Sequence, residues 1–531
     1  MKTIPTHTTL KAVLGCLIAL LLLSGCATVG PDFRKPEFPA PEGWLEAGDP
    51  RMNTEGDDHR DWWKSFNDPA LEELIQRAFE NNLTLEIAGL RVYEARANLG
   101  VAVGTLYPQH TQVGLSAERF KLSENAEPVA ILPPLVQEGV TTDFSNYRLG
   151  FGTVWELDFW GKYRRIVEAA DASLAARIAA YDTVLVTVTG ELASAYILLR
   201  TLEQRLVVVR RNADIQRRSV EISGVRHRNE LTSELDVVQA QVQLKNTEAS
   251  IPRLEASLRE VENALSMLLG ATPGDVRSII GGAADIPVTP TSVAVGMPAD
   301  LIRRRPDIRQ AEYLAAFQST RIGITKAELY PSFRLGGTIG FAATDLGDLV
   351  DSSSVAGIIG AGFSWNILNF GRIKNRVRAD DARFQQSLAH YEAVVLNALR
   401  EVENAQTAFL RAQEEVTVLS DASRMAQRAV DLALVQYRDG IADFTRVLTA
   451  QKALAIQEIL LTGARGRVAR YLIDIYRALG GGWQIREGED FIPADAKDAM
   501  RERTNWGDLL EADAVEPVSE TERGRWRAPD R

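Results

Sequence analysis

The chain has 531 residues, a formal net charge of −11, five histidines and two cysteines. The acidic balance, with no basic block, excludes the electrostatic footprint of a nucleic-acid binder. So few cysteines leave neither a disulfide framework nor a Cys metal site, and stability must come from packing.

Lys2 and Lys11 precede an apolar run from Ala12 to Leu23, which meets Ser24-Gly25-Cys26. A basic start, a short apolar stretch and small residues before a cut describe a secretory signal rather than a spanning helix. Leu23-Ser24-Gly25-Cys26 matches the bacterial lipobox. Residues 1–25 are then the signal, and Cys26 becomes the first mature residue, carrying an N-palmitoyl group and an S-diacylglycerol. An ordinary signal cut near a stray Cys is the alternative, and "VLGC" ending at Cys16 leaves too short an apolar run. Ala27, not Asp, follows, which favours the outer membrane. No apolar run of about 18 residues or more follows the signal, so any membrane-spanning part is expected to be built of strands.

Residues 26–66 read as a lipid-anchored linker, Pro- and Gly-rich from Thr28 to His59. Asp57-Asp58-His59 is a conceivable metal trio, but an isolated trio in such a segment is more often solvated.

Beyond the linker the chain is written twice. "VRHRNELTSELDVVQAQ" (Val225–Gln241) and "VQYRDGIADFTRVLTAQ" (Val435–Gln451) lie 210 residues apart. The same offset takes Trp155 to Trp365, Gly161 to Gly371, Glu191 to Glu401 and Gly270 to Gly480. Pro108 of "TLYPQ" and Pro331 of "ELYPS" are 223 apart, so the first copy carries 13 extra residues before its Trp. A fixed offset with one insertion describes a duplicated unit with one longer loop. The repeats are expected at 67–270 and 301–482, joined by a linker at 271–300. A charged tail at 483–531, without sustained pattern from Arg486, is expected to be disordered or to pack loosely.

Each copy opens with a helix and then carries a β-hairpin. Tyr147, Leu149, Phe151, Thr153 and Trp155 alternate with Arg148, Gly150, Gly152 and Val154. Phe333, Leu335, Ile339 and Phe341 alternate with Arg334, Gly336, Thr338 and Gly340. Period two with one apolar face suits a lipid-facing barrel wall. "TQVGLSAERF" and "VAGIIGAGFSWNIL" are the partners, with loops at 121–143 and 342–354. Four strands cannot close a membrane barrel, so the chain must oligomerise.

Long helices follow. No proline occurs from Leu135 to Ile251 or from Ser332 to Ile492. Leu174, Ile178, Tyr181, Leu185, Val188, Leu192, Ala195, Leu199, Leu202, Leu206 and Val209 step by fours and threes, a coiled-coil seam. The second copy repeats it from Phe384 to Leu419. A helix from Lys162 to Arg228 is about 100 Å long. Polar turns at "HRNELTS" and "YRDGIAD" reverse the chain into return helices ending near Gly270 and Gly480.

Duplicated long hairpins, strand pairs and a lipobox resemble the TolC-type outer-membrane efflux family, in particular its NodT-like lipoprotein branch. "WWKSFNDPALEELIQRAFENN", "LIRRRPDIRQAE", "WNILNFGR" and "YRDGIADFTRVLTAQKAL" carry the likeness. It implies an α+β membrane protein: a homotrimeric 12-stranded β-barrel, four strands per chain, continuous with a coiled-coil periplasmic tunnel. It also implies a passive efflux duct served by a periplasmic adaptor and an inner-membrane pump of RND type. An exit duct for type I protein secretion and a structural coiled-coil lipoprotein are the alternatives. The adaptor is expected at the hairpin tips, Arg228, Asn229, Glu230, Arg438, Asp439, Gly440 and Asp443, with positive φ at Gly440. A constriction is expected at Thr445, Arg446 and Thr449, with Arg446 paired to Asp236, Asp439 or Asp443. The family's acids before the Ala-Gln are replaced here by Thr449. No cofactor is expected beyond the lipid. Enzyme signatures are missing: there is no H-E-x-x-H, Walker loop or G-x-S-x-G, and "GIIGAG" falls within a strand.

Overall fold

The computed structural model describes residues 28–54, 59–123, 133, 136 and 141–511, so Cys26, Asp57 and Asp58 lie outside the described residues. Two short helices open the fold, α1 (Pro69–Asn81) and α2 (Leu83–Gly104), after a two-residue strand β1 (Met52–Asn53). The chain then enters a hairpin of β2 (His110–Lys121) and β3 (Asp143–Leu157) and turns into α3 (Lys162–Arg228). It returns through α4 (Glu234–Glu248) and α5 (Ser250–Leu268). Helices α6 (Val276–Ile280) and α7 (Pro298–Arg304), with β4 (Val293–Ala294) between them, make the connection to the second half. There α8 (Pro306–Ala327), β5 (Ser332–Ala343), β6 (Val355–Ser364), α9 (Arg372–Arg438) and α10 (Phe444–Ala478) follow, and α11 (Ala494–Arg503) closes the described chain.

The four long strands form one antiparallel sheet in the order β2-β3-β5-β6. Its register stacks Val113, Phe151 and Ile339 side by side on one face. One residue on, Gly114, Gly150, Gly340 and Ala356 share the other face. A side chain is the only bulk a strand presents, so one face is thick and apolar and the other nearly bare. Val113, Phe151 and Ile339 remain exposed, which marks a face awaiting an apolar medium. The last strand ends at Ser364, short of the expected Leu368, and the indole of Trp365 beside it donates to the carbonyl of Leu329 at 2.9 Å. Its counterpart Trp155 donates to Leu106 at 3.1 Å, so the same bond anchors both sheet-to-helix turns.

Both long helices have 67 residues and start behind a glycine with left-handed backbone, Gly161 (φ 74°) and Gly371 (φ 81°). Only glycine adopts that conformation without steric cost, which explains "WGK" and "FGR". The seam of α3 is buried from Leu174 to Leu202, and that of α9 from Tyr391 to Ala412. The most apolar stretch of α3 is 61% buried, as befits a helix packed among others. The return in the first half breaks at Ala249 between α4 and α5, whereas α10 runs unbroken for 35 residues. Pro252 lacks an N–H and its ring opposes the preceding turn, so it tolerates only the first turn of a new helix.

Two segments depart from expectation. The linker is packed: Trp44 is 5% exposed and its indole donates to Gly296 at 2.8 Å, while β1 pairs in parallel with β4. Trp62 stacks on Tyr476 at 5.4 Å. Large aromatics gain more from burial than Pro and Gly lose in order. The tail is packed as far as Glu511: Phe491, Ile492, Met500 and Leu510 enter a core with α2 and α3. Arg486 reaches the fully buried carboxylate of Asp182, and its Nη2 lies 3.3 Å from Oδ2. Burial pushes Asp182 up, and Arg486 draws it back.

Candidate channel site at the helix tips

The two hairpins turn by the same device. At the end of α3 the N–H of Leu231 donates to the carbonyl of Arg226 at 2.9 Å, and at the end of α9 that of Ile441 donates to Gln436 at 2.9 Å. This six-residue closure needs a left-handed residue next to the cap. Gly440 fills that place with φ 74°, and Glu230, its counterpart, has φ 58°. Arg228, Asn229, Glu230, Arg438, Asp439, Gly440 and Asp443 are all exposed at these turns.

Asp443 caps α10, its carboxylate accepting the backbone N–H of Arg446 at 3.3 Å. Phe444 and Val447 turn inward and pack with Tyr437 and Ala240. Thr445, Arg446 and Thr449 therefore occupy the opposite, exposed face. With Ala429, Ala433, Ala450 and Ala453 they line a shallow groove between α9 and α10.

The expected pairing of Arg446 is not made within the chain. Among the described residues no carboxylate accepts from its guanidinium; Asp443 is taken by the backbone and Asp439 stands exposed. Asp236 instead accepts from the Thr232 hydroxyl and, at 3.4 Å, from the Tyr437 hydroxyl. Burial pushes the Tyr437 phenol up, so it stays a donor at neutral pH.

Two side chains here gave no sequence signal. Arg226 lies over the Tyr437 ring, 4.8 Å from its centre, and donates to the carbonyl of Arg438 at 2.9 Å. A cation at a helix C-terminus is favoured by the dipole, and a cation over a ring by the quadrupole. Arg226 and Tyr437 correspond to Gln436 and His227 in the other half, so this staple exists once per chain. The other missed residue is Arg305 of "RRPDI". It donates to the last-turn carbonyl of Ala478 at 2.7 Å and pairs with Asp307 and Glu401, fastening α10 to α8 and α9.

A sheet with one exposed apolar face, running into helices of 67 residues, has the form of a membrane-facing wall continued by a helical extension. The family described as "Outer membrane efflux protein" matches residues 74–271 and 297–481. Nodulation protein T of Rhizobium leguminosarum bv. trifolii is 30% identical over 467 residues, covering 87% of this chain and 96% of that protein. The toluene efflux pump outer membrane protein TtgC of Pseudomonas putida is 27% identical over 90% of this chain and 97% of its own. The solved outer-membrane channel OprN superposes with a TM-score of 0.80 at 31% identity, over 86% of this chain and 100% of that one. The chain belongs to the outer membrane efflux protein family. It acts as an outer-membrane channel of a tripartite efflux system.

Proposed function

We propose that three copies of the chain close one twelve-stranded barrel and one helical tunnel, forming a passive duct for small molecules. The observation that carries this is the four-stranded sheet whose edge strands, β2 and β6, have partners only on their inner sides. Lipid does not satisfy open backbone groups, so those edges must meet in neighbouring copies. The equal long helices and their shared offset support two structural repeats, bounded at 67–270 and 301–482 with a linker at 271–300.

The lipid on Cys26 adds a second hold. Thr28, two residues later, packs on Gly161 at the sheet-to-helix turn, and Val29 donates to Trp160 at 3.0 Å. The acyl chains would thus enter the leaflet beside the barrel's periplasmic rim. The exposed tips receive a periplasmic adaptor, which joins the duct to an inner-membrane pump of RND type, and the face of Thr445, Arg446 and Thr449 lines the narrowest part. Small-molecule export is favoured over type I protein secretion by the likeness to a solvent-efflux protein and by the lipobox. A purely structural coiled-coil lipoprotein leaves the sheet unexplained.

Light scattering of the detergent-purified protein should give three chains per particle. Deleting the gene should lower the tolerated concentration of hydrophobic drugs or solvents, and the intact gene should restore it. A monomeric particle without conductance in a planar bilayer overturns the duct.

A further inference from the structure

One side of the helical wall is covered by a connecting segment. The segment Asp285–Thr291 arches over the side of the wall formed by Gln204, Gln413, Thr417, Thr462 and Arg465, enclosing a cavity of about 720 Å³. Residues one position further along an α-helix turn away by about 100°. Arg205 and Gly463 are thereby carried to other sides of their helices, and Glu415 and Arg467, two positions beyond Gln413 and Arg465, are turned by about 200°.

There two guanidiniums converge. Around the position a Cβ would take on Gly463, Arg205 Nη2 lies at 2.6 Å and Arg467 Nη1 at 3.5 Å. A Cβ at Gly463 would crowd the Arg205 guanidinium, and Gly466, one turn on, lets α3 and α10 close up at Thr201. Arg467 pairs with Glu415 at 2.7 Å. Arg205 has no such acceptor: its Nε is buried without a hydrogen-bond partner, and among the described residues no carboxylate reaches it. Burial and the Arg467 charge both weaken its hold on its proton. Glu415 thus serves Arg467 alone, and the buried Nε of Arg205 is left unmet. An unmet charged donor costs more than a neutral one, and native folds seldom leave it so. Other buried arginines meet carboxylates: Arg200 has Glu203 and two carbonyls, Arg305 has Asp307, Glu401 and a carbonyl, and Arg165 has Asp32 and Glu168 although its Nε is also unmet.

We propose that Arg205 and Arg467, over Gly463, form an oxyanion site that takes a carboxylate, sulfate or phosphate group. Two forks of N–H donors meeting at one point suit the paired oxygens of such a group. The site lies well away from the tips, and on the trimeric reading above it faces the lumen or a neighbouring copy. The oxyanion is therefore either a free anion in transit or a carboxylate of a second copy.

Radiolabelled sulfate separates these sources. Equilibrium dialysis of the purified full-length protein, at constant ionic strength against chloride, should show one saturable site per chain. Arg205→Gln should weaken it at least about tenfold, and Arg205→Lys, which keeps the charge but loses the fork, should weaken it less. Gly463→Ala should act like Arg205→Gln by displacing the guanidinium. Glu415→Gln frees Arg467 and should tighten binding. If the partner is another copy, sulfate does not bind, but Arg205→Gln lowers the dissociation temperature of the trimer while Glu415→Gln does not. Unchanged sulfate binding together with unchanged trimer dissociation in Arg205→Gln overturns the site. The trimer's existence is read from the natural protein in the same experiment, so failure of the duct reading is seen separately.

Discussion

Arg226, near the end of one long helix, stacks on Tyr437, near the end of the other, and Tyr437 in turn donates to Asp236 at 3.4 Å on the first return helix. With Phe444 of the second return helix edge-on to it at 5.3 Å, this one aromatic ring joins all four helical segments at the tip. Tyr437→Phe keeps the ring and removes one hydrogen bond to a carboxylate, so it should loosen the tip by about 1–2 kcal/mol. Arg226→Ala removes the stacking cation and a helix-end bond and should loosen it further. Amide exchange at 225–231 and 435–441 should speed up in both variants, with trimer content unchanged. Equal exchange rates in all three proteins would show that contacts between copies, not this staple, hold the tips.

Glu230 and Gly440 occupy equivalent left-handed positions, and only one is a glycine. A side chain with a Cβ costs roughly 1–2 kcal/mol in that conformation. Glu230→Gly should therefore tighten the first turn, and Gly440→Val should strain the second. Export should fall in Gly440→Val while trimer and membrane levels stay normal, because the strain is confined to the tip. Drug tolerance measured beside immunoblots of trimer checks this, and undiminished export argues against docking at that tip.

The reach of the sequence follows a physical line. The limits of α3 could be read from a proline-free run and a 3.5-residue seam, and the left-handed Gly440 from its place at a polar turn. Both are local signals. Arg226 and Tyr437 meet only through the register between helices 210 residues apart, which no single periodicity encodes. Phe491, Ile492, Met500 and Leu510 follow no period, since they fill separate gaps on α2 and α3 and do not form a stripe. Arg446 stood out as a charge near the constriction, but its lack of an acid in the chain required coordinates.

The C-terminal segment hangs on Asp182 and Arg486. Asp182 is fully buried, and Arg486 is its bidentate partner, with Arg309 at 4.0 Å. Removing one member of a buried pair leaves the other charge uncompensated, at a cost of about 3–5 kcal/mol. Arg486→Ala should release residues 486–511 to limited proteolysis and lower the melting temperature of the trimer. Asp182→Asn with Arg486→Gln, which removes both charges, should recover much of the loss. A double variant no better than Arg486→Ala would mean that shape, not charge, fixes this segment.

Cys26→Ser behind a replacement cleavable signal tests how the two membrane holds divide. Several acyl chains anchor a protein stably to one leaflet, whereas a closed barrel spans the membrane and inserts effectively irreversibly. The variant should reach the outer membrane in part and stay trimeric there. A wholly soluble, monomeric product contradicts a self-sufficient barrel.

Arg446 stands exposed beside Thr445 and Thr449, and among the described residues no acid meets its guanidinium. If three copies bring this face round one axis, three guanidiniums oppose one another in a narrow space where screening is poor. At about 10 Å apart and an effective dielectric near 20, each pair repels by about 1.7 kcal/mol. That repulsion is relieved either by acids of neighbouring copies, such as Asp439, or by small anions drawn from solution. The first arrangement is a latch and the second a filter, and they differ in what Arg446→Ala does. A latched channel is closed in the natural protein and conducts once the arginine is removed. A filtering channel conducts from the start, and the substitution shifts its reversal potential in a salt gradient away from anions. Single-channel recordings of both proteins in a planar bilayer decide between them. Identical conductance and identical reversal potential would place Arg446 on a solvated surface with no part in the constriction.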